Sequence, residues 1–151
     1  YALALHYEVD YNSWNLKTEA ITVAHNPENE TGQSNAIVQM GAYGTPYEVA
    51  ADFNMYTAAL SKTFKVNWGP ISQLEVYNDF GYMQKKEQEF TDSFQNVTGV
   101  LVTAGQVYTY IDYAAGYNHS WLGGNFIDDF STGNPDAKWE ARFNINIGYY
   151  F

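Results

Sequence analysis

The sequence predicts an all-β chain, an antiparallel transmembrane β-barrel, and three observations carry that prediction. Its last fourteen residues, KWEARFNINIGYYF, alternate apolar and polar without a break. Aromatic residues make up 18% of the chain against 16% charged, with 14 tyrosines, a composition that suits amphipathic strands better than a helical bundle. Long and short connections take turns along the chain.

The terminal segment comes first because its pattern is cleanest. Counting by twos back from the end, Phe151, Tyr149, Ile147, Ile145, Phe143, Ala141 and Trp139 share one phase, and Lys138, Glu140, Arg142, Asn144, Asn146, Gly148 and Tyr150 the other. A strand sends successive side chains to opposite faces, so one face is oily and the other hydrophilic. The end resembles the closing strand of Gram-negative outer-membrane barrels. The resemblance rests on Phe143, Ile145, Ile147, Gly148, Tyr149 and Phe151, and implies recognition by the barrel-assembly machinery.

The longest wholly apolar run is about five residues, Tyr1 to Leu5, so no helix could cross the ~30 Å hydrocarbon layer. A strand needs only about 9–11 residues with alternate ones apolar, which a mean hydropathy of -0.39 permits. The absence of cysteine excludes disulfides and thiolate metal sites. A net charge of -10 with seven scattered Lys and Arg argues against nucleic acid. Without an initiator Met or signal peptide, the chain is expected to be processed or a fragment.

Taken in order, Tyr1 to Tyr11 alternates like the last segment. Asn12 and Ser13 turn it into a strand from Trp14 to His25, whose far half, Ala20 to Ala24, is apolar on both phases. Residues 26–53 form a long connection, extracellular or folded into a lumen, in which Ala36 to Tyr43 can be a short strand. Met55 to Trp68 is a strand with Lys62 on its oily phase, a violation that costs ~2–4 kcal/mol at a lipid midplane unless a bulge shifts the phase or the side chain snorkels. Gly69-Pro70 leads to Gln73–Lys85, a charged loop to Asn96–Ala104, and Gly105-Gln106 to Val107–Tyr117. A Gly, Asn and Asp-rich loop, 118–137, returns to the last strand.

Outer-membrane barrels have short periplasmic turns and long outer loops. Walking back from Phe151, connections 118–137, 105–106, 86–93, 68–72, 26–53 and 12–13 alternate long and short, which gives about seven spanning strands. Single-chain bacterial barrels close with an even number, so either the 36–56 region supplies an eighth strand or the chain is part of a larger barrel. The phrases KVNWGPIS, NVTGVLVTAG, YTYIDYAAGYN, SWLGG and RFNINIGYYF are similar to the C-terminal part of a proteobacterial outer-membrane porin related to the phosphate-selective type. That resemblance implies a wide barrel of about 16 strands, a homotrimer, and passive diffusion of small hydrophilic solutes with no enzyme activity and no cofactor. The Lys and Arg ladder expected of phosphate selectivity is missing from the polar phase.

The pore-lining residues expected from the phases are His6, Glu8, Asp10, Lys17, Glu19, Lys65, Glu75, Asp79, Asp112, Glu140 and Arg142. Carboxylates outnumber fixed cations among them, which predicts weak cation preference or little selectivity. Cross-strand pairing that merely stiffens the wall is the alternative, and Arg142 invites it. Tyr11, Trp14, Trp68, Tyr149 and Phe151 are expected in an aromatic girdle at one membrane interface, with Tyr1, Tyr56, Tyr82 and Tyr117 at the other. Lipid and lipopolysaccharide are the expected surroundings. His6, His25 and His119 show no metal-ligand spacing, and Asp128, Asp129 and Asp136 read as solvated loop acids rather than a cation site. No catalytic motif is present. Two competing readings stand beside the porin: a complete eight-stranded barrel with a structural or adhesive role, and a secreted carbohydrate-binding β-sandwich.

Overall fold

Period-two alternation becomes strand wherever it occurs. The computed structural model describes residues 1–42 and 44–151. Among them it holds β1 (Ala2–Tyr11), β2 (Trp14–Ala24), β3 (Ile37–Ala42), β4 (Thr45–Ala50), β5 (Asp52–Trp68), β6 (Ile71–Lys85), β7 (Ser93–Ala104), β8 (Val107–Tyr117) and β9 (Glu140–Tyr149), and no helix. Seven strands pair antiparallel in the order β1-β2-β5-β6-β7-β8-β9. β3 and β4 form a separate two-stranded hairpin, so the 36–56 region adds no eighth strand to the sheet. β1 and β9 are its two edges. Tyr43, at the end of the expected short strand, lies outside the described residues.

The tight connections are built for the sheet's twist. Asn12 and Ser13 take φ of 49° and 68°, the pair of positive angles that a two-residue hairpin turn requires. The register then carries each phase across all six pairings. One row, read strand to strand, is Glu8, Lys17, Ala59, Asp79, Val97, Ala114 and Arg142. The adjacent row on the other face is Val9, Leu16, Leu60, Asn78, Thr98, Tyr113 and Phe143. One face is therefore polar and the other oily, with the phases the alternation predicts.

The oily face is uncovered. Leu5 is 74% exposed, Phe143 63% and Ile147 70%, whereas the buried hydrophobic residues are only Ala50, Ala51 and Met83 among those described. At the loop end, Tyr56, Tyr82, Phe94 and Tyr117 occupy one row, and their rings meet at 6.1, 4.7 and 6.1 Å. Trp139 joins this belt beside Phe94 and Tyr117. Beyond the belt the same face turns polar, where Asn54 donates to Gln84 at 3.1 Å. At the turn end Tyr149 stacks on Phe151 and donates to Gln106. Lys62 keeps its oily phase, opposite Trp14, and its Nζ lies 4.6 Å from the centre of that ring. The bulge falls later, between Lys65 and Trp68, and sets Trp68 opposite Ile71. Ile71 lies two residues from the polar-face Gln73, so the extra residue takes Trp68 off the oily phase that unbroken alternation assigns it.

On the polar face two glycines make room for rings. A Cβ on Gly148 would collide with Tyr108, and one on Gly99 would fall 2.5 Å from the Tyr77 hydroxyl. At Gly81, by contrast, the nearest side-chain atom would be Gln95 Cβ at 3.9 Å. Gly148→Ala should therefore destabilise the sheet by about 1–3 kcal/mol through overpacking, while Gly81→Ala should leave it nearly unchanged. Urea titration of micelle-refolded protein measures both, and adding Tyr108→Ala should restore much of the Gly148→Ala loss.

Candidate functional site

The polar face divides into two zones. Its upper rows, toward the long loops, are apolar for most of their length and end on a polar side chain: Ala4, Ile21, Met55 and Met83 lead to Ser93 in one row, and Ala2, Val23 and Phe53 lead to Lys85 in the next. This accounts for the double-phase hydrophobicity of Ala20 to Ala24, because Ile21 and Val23 stay on the polar face but lie in its apolar zone. The long loops pack over this end. β4 hydrogen-bonds its Glu48 and Ala50 amides to the carbonyls of Ile127 and Phe130, and Tyr47 packs against Trp121, Phe126 and Phe130. The 118–133 loop is in turn pinned to the sheet. Lys85 Nζ and Ser93 Oγ both donate to the Asp129 carbonyl, at 2.7 and 2.9 Å, and all three residues are buried. His119 Nε2 meets Gln95 Oε1 at 2.8 Å, with Phe130 edge-on to its ring. The loop comes this close because Gly116, beside Gln95, has no side chain: a Cβ there would lie 2.7 Å from His119 Cβ. A cavity of about 300 Å³ remains beneath, lined by Met55, Met83, Gln95, His119 and Phe130 among others.

Below the loops the polar rows are open. A concavity of about 550 Å³ gathers Lys17, Glu75, Asp79 and Asp112, four of the expected pore-lining residues, with Asn15, Tyr77 and Tyr110. Tyr77 lies across Gly99 and donates to Asp112 Oδ2 at 3.0 Å. Glu8 pairs with Lys17 at 3.2 Å and lies 4.0 Å from His6, and Asn15 donates to both Glu8 and Asp10. Cross-strand pairing thus describes the β1–β2 corner. It does not extend further: Glu75, Asp79, Asp112 and Arg142 make no ion pair among the described residues. In the row that holds Gln95, Glu19 lies one strand in from His6 at one end and Glu140 lies at the other, and Lys65 lies toward the turn end, so none of the three lines the concavity.

Two kinds of residue escaped the charge-based reading. Tyr77, Tyr108 and Tyr110 are aromatic on the polar phase, and the glycines opposite Tyr77 and Tyr108 were the available signal. His119, Lys85 and Ser93 act through contacts between distant segments that no local pattern encodes. No three His, Cys, Asp or Glu side chains are grouped to hold a metal ion among the described residues. No protein-family model matches the chain, and neither does any curated protein or solved structure.

Burial holds His119 well below its usual 6.5, at about 4. Its neutral form is therefore the one that docks. Between these two values the undocked loop binds more protons than the docked one, so docking weakens as pH falls from about 6.5 to about 4. Hydrogen exchange of the 118–133 amides should accelerate across that window, and His119→Gln should flatten the dependence.

Proposed function

We propose that this chain is a wall segment of an outer-membrane porin, a transmembrane β-barrel that passes small hydrophilic solutes by passive diffusion. The observation that carries this reading is the uncovered oily face. In water, so extended an apolar surface is an aggregation liability; against lipid it is the contact surface a barrel needs. The belt of Tyr56, Tyr82, Phe94, Tyr117 and Trp139 suits one headgroup layer, since the face turns polar just beyond it. From Tyr117 down to Val107, the partner of Tyr149, β8 covers 11 residues, within the length a tilted strand needs to span the hydrocarbon.

The sheet's stagger supports closure as well. The belt row lies four residues inside the start of β5, at Tyr56 within Asp52–Trp68, but at the last residue of β8, Tyr117. Such a progressive offset of strand ends is the shear that barrel closure requires. Seven strands leave the outer edges of β1 and β9 without a partner strand, and lipid offers no water to satisfy their backbone groups. Further strands pairing with those edges, to the implied total of about 16, resolve this. The small eight-stranded barrel is disfavoured because the β3–β4 hairpin packs on the 118–133 loop instead of joining the sheet.

One polar cluster interrupts the oily face. Asn78 donates to Asn96 Oδ1 and Thr98 Oγ1 at 3.0 and 2.7 Å, and Asn96 donates back at 3.2 Å. These mutual bonds lower the cost of holding amides at that depth, and the implied homotrimer would bring the cluster into a subunit contact. On the polar face, Glu75, Asp79 and Asp112 give the pore wall a weak cation preference. Planar-bilayer recording of the native assembly tests both claims. Stepwise conductance is expected, with a reversal potential on the cation side in a salt gradient. Replacing Glu75 and Asp79 by Lys should move that potential toward the anion side; an unmoved potential would remove them from the conduction path.

A further inference from the structure

Tyrosine rings on the polar face are not scattered. Tyr77, Tyr110, Tyr108 and Tyr150 follow one another at centroid steps of 6.2, 5.9 and 4.9 Å, from mid-sheet on β6 across β8 to the turn end. Gly99 stands directly opposite Tyr77 on the intervening strand, and Gly148 directly opposite Tyr108. With no side chain there, each ring lies along the sheet rather than being shouldered away from it. Tyr110 is 36% and Tyr150 71% exposed, so the line is open to solvent.

The surroundings of the track are mainly polar, with Leu101, opposite Tyr110, and Val97 as apolar members of its wall. Glu75, Asp79 and Asp112 share its concavity, Asp112 holds the Tyr77 hydroxyl, and Asn144 and Asn146 stand opposite Asp112 and Tyr110 on β9. We infer that this track is a binding path for neutral carbohydrate chains, which deepens the porin reading by naming its solute class. A pyranose ring has an apolar C–H face and a rim of hydroxyls. The first stacks on an aromatic face, and the second donates to carboxylates and exchanges hydrogen bonds with amides. Tyr110 stands edge-on to Tyr77 and Tyr108, at 72° and 82°, and Tyr108 and Tyr150 tilt by 35°. A linear chain thus meets the rings one after another at changing angles, while a compact organic cation would need rings converging as a cage rather than drawn out in a line. The carboxylate fringe repels anionic solutes and accepts from hydroxyls, which favours uncharged over anionic sugars.

The binding claim and the pore claim separate experimentally. Linear glucose hexamers, α-1,4 and β-1,4, are added to the native assembly in planar bilayers, and in parallel to detergent-solubilised protein for saturation-transfer NMR, which needs no pore. The expected result is concentration-dependent block of conductance and saturation transfer to the sugar C–H protons. Tyr110→Ala should raise the half-blocking concentration about tenfold, the change that 1.4 kcal/mol represents, and Tyr110→Phe should stay within about twofold of wild type because the ring remains. Tyr150→Ala, at an exposed position where folding is not at stake, should also weaken block. A conducting channel that neither hexamer blocks or binds overturns the inference and leaves the porin standing. Block by tetramethylammonium without block by hexamers overturns it too, as does unchanged block in both alanine variants. Sugar binding without any conductance upholds the track and sinks the porin.

Discussion

Register is the constraint on which the whole molecule depends. A strand's two faces are separated by one residue, so a slip of one position in any pairing would exchange them. Here six antiparallel pairings hold a common phase from β1 to β9, so that Glu8, Lys17, Asp79 and Arg142 share one side while Val9, Leu16, Leu60 and Phe143 share the other. The shift between Lys65 and Trp68 is confined to the turn end of β5 and leaves the rows above intact. Both the bare oily surface and the polar concavity exist only because the phase is kept.

The two surfaces are finished differently. The oily face relies on ring-to-ring contacts and on Lys62 laid over Trp14 and Phe64, and among the described residues it gains no covering layer. The polar face is roofed at one end by the 118–133 loop and the β3–β4 hairpin, over rows carrying Ile21, Met55 and Met83. Few apolar side chains are fully buried, and much of what is buried is polar: Lys85, Ser93, Asn118, Ser120, Asp129 and Ser131. Hydrogen bonds therefore fix the roof together with the ring cluster of Tyr47, Trp121, Phe126 and Phe130. Most buried polar groups find partners because water does not reach them easily, the Ser120 hydroxyl being an exception.

Strands, turns and phases were legible because each is a local property. The alternation in Val107 to Tyr117 left Tyr108 and Tyr110 beside Asp112, and pairing with β9 puts all three on one face. Lys62 looked like a violation because a phase count cannot see a ring across the sheet, and Trp14 is that ring. Ile21 and Val23 blurred their strand because the polar face is not polar along its whole height. The roof could not be read at all. Lys85 and Asp129 are joined across 44 positions of chain, and Ser131 reaches Glu48 across 83, distances over which periodicity carries no information.

The pins of that roof lie on two neighbouring strands, with Lys85 closing β6 and Ser93 opening β7. Both side chains reach the Asp129 carbonyl from the same side of the sheet, and they do so only when Met83 stands opposite Ser93. A hairpin formed one residue out would send one of the two donors to the far side. The loop would then lose one of its anchors, and the buried carbonyl would have one donor in place of two. The roof and the β6–β7 hairpin are thus tied to one register, the one that places both donors under the same carbonyl.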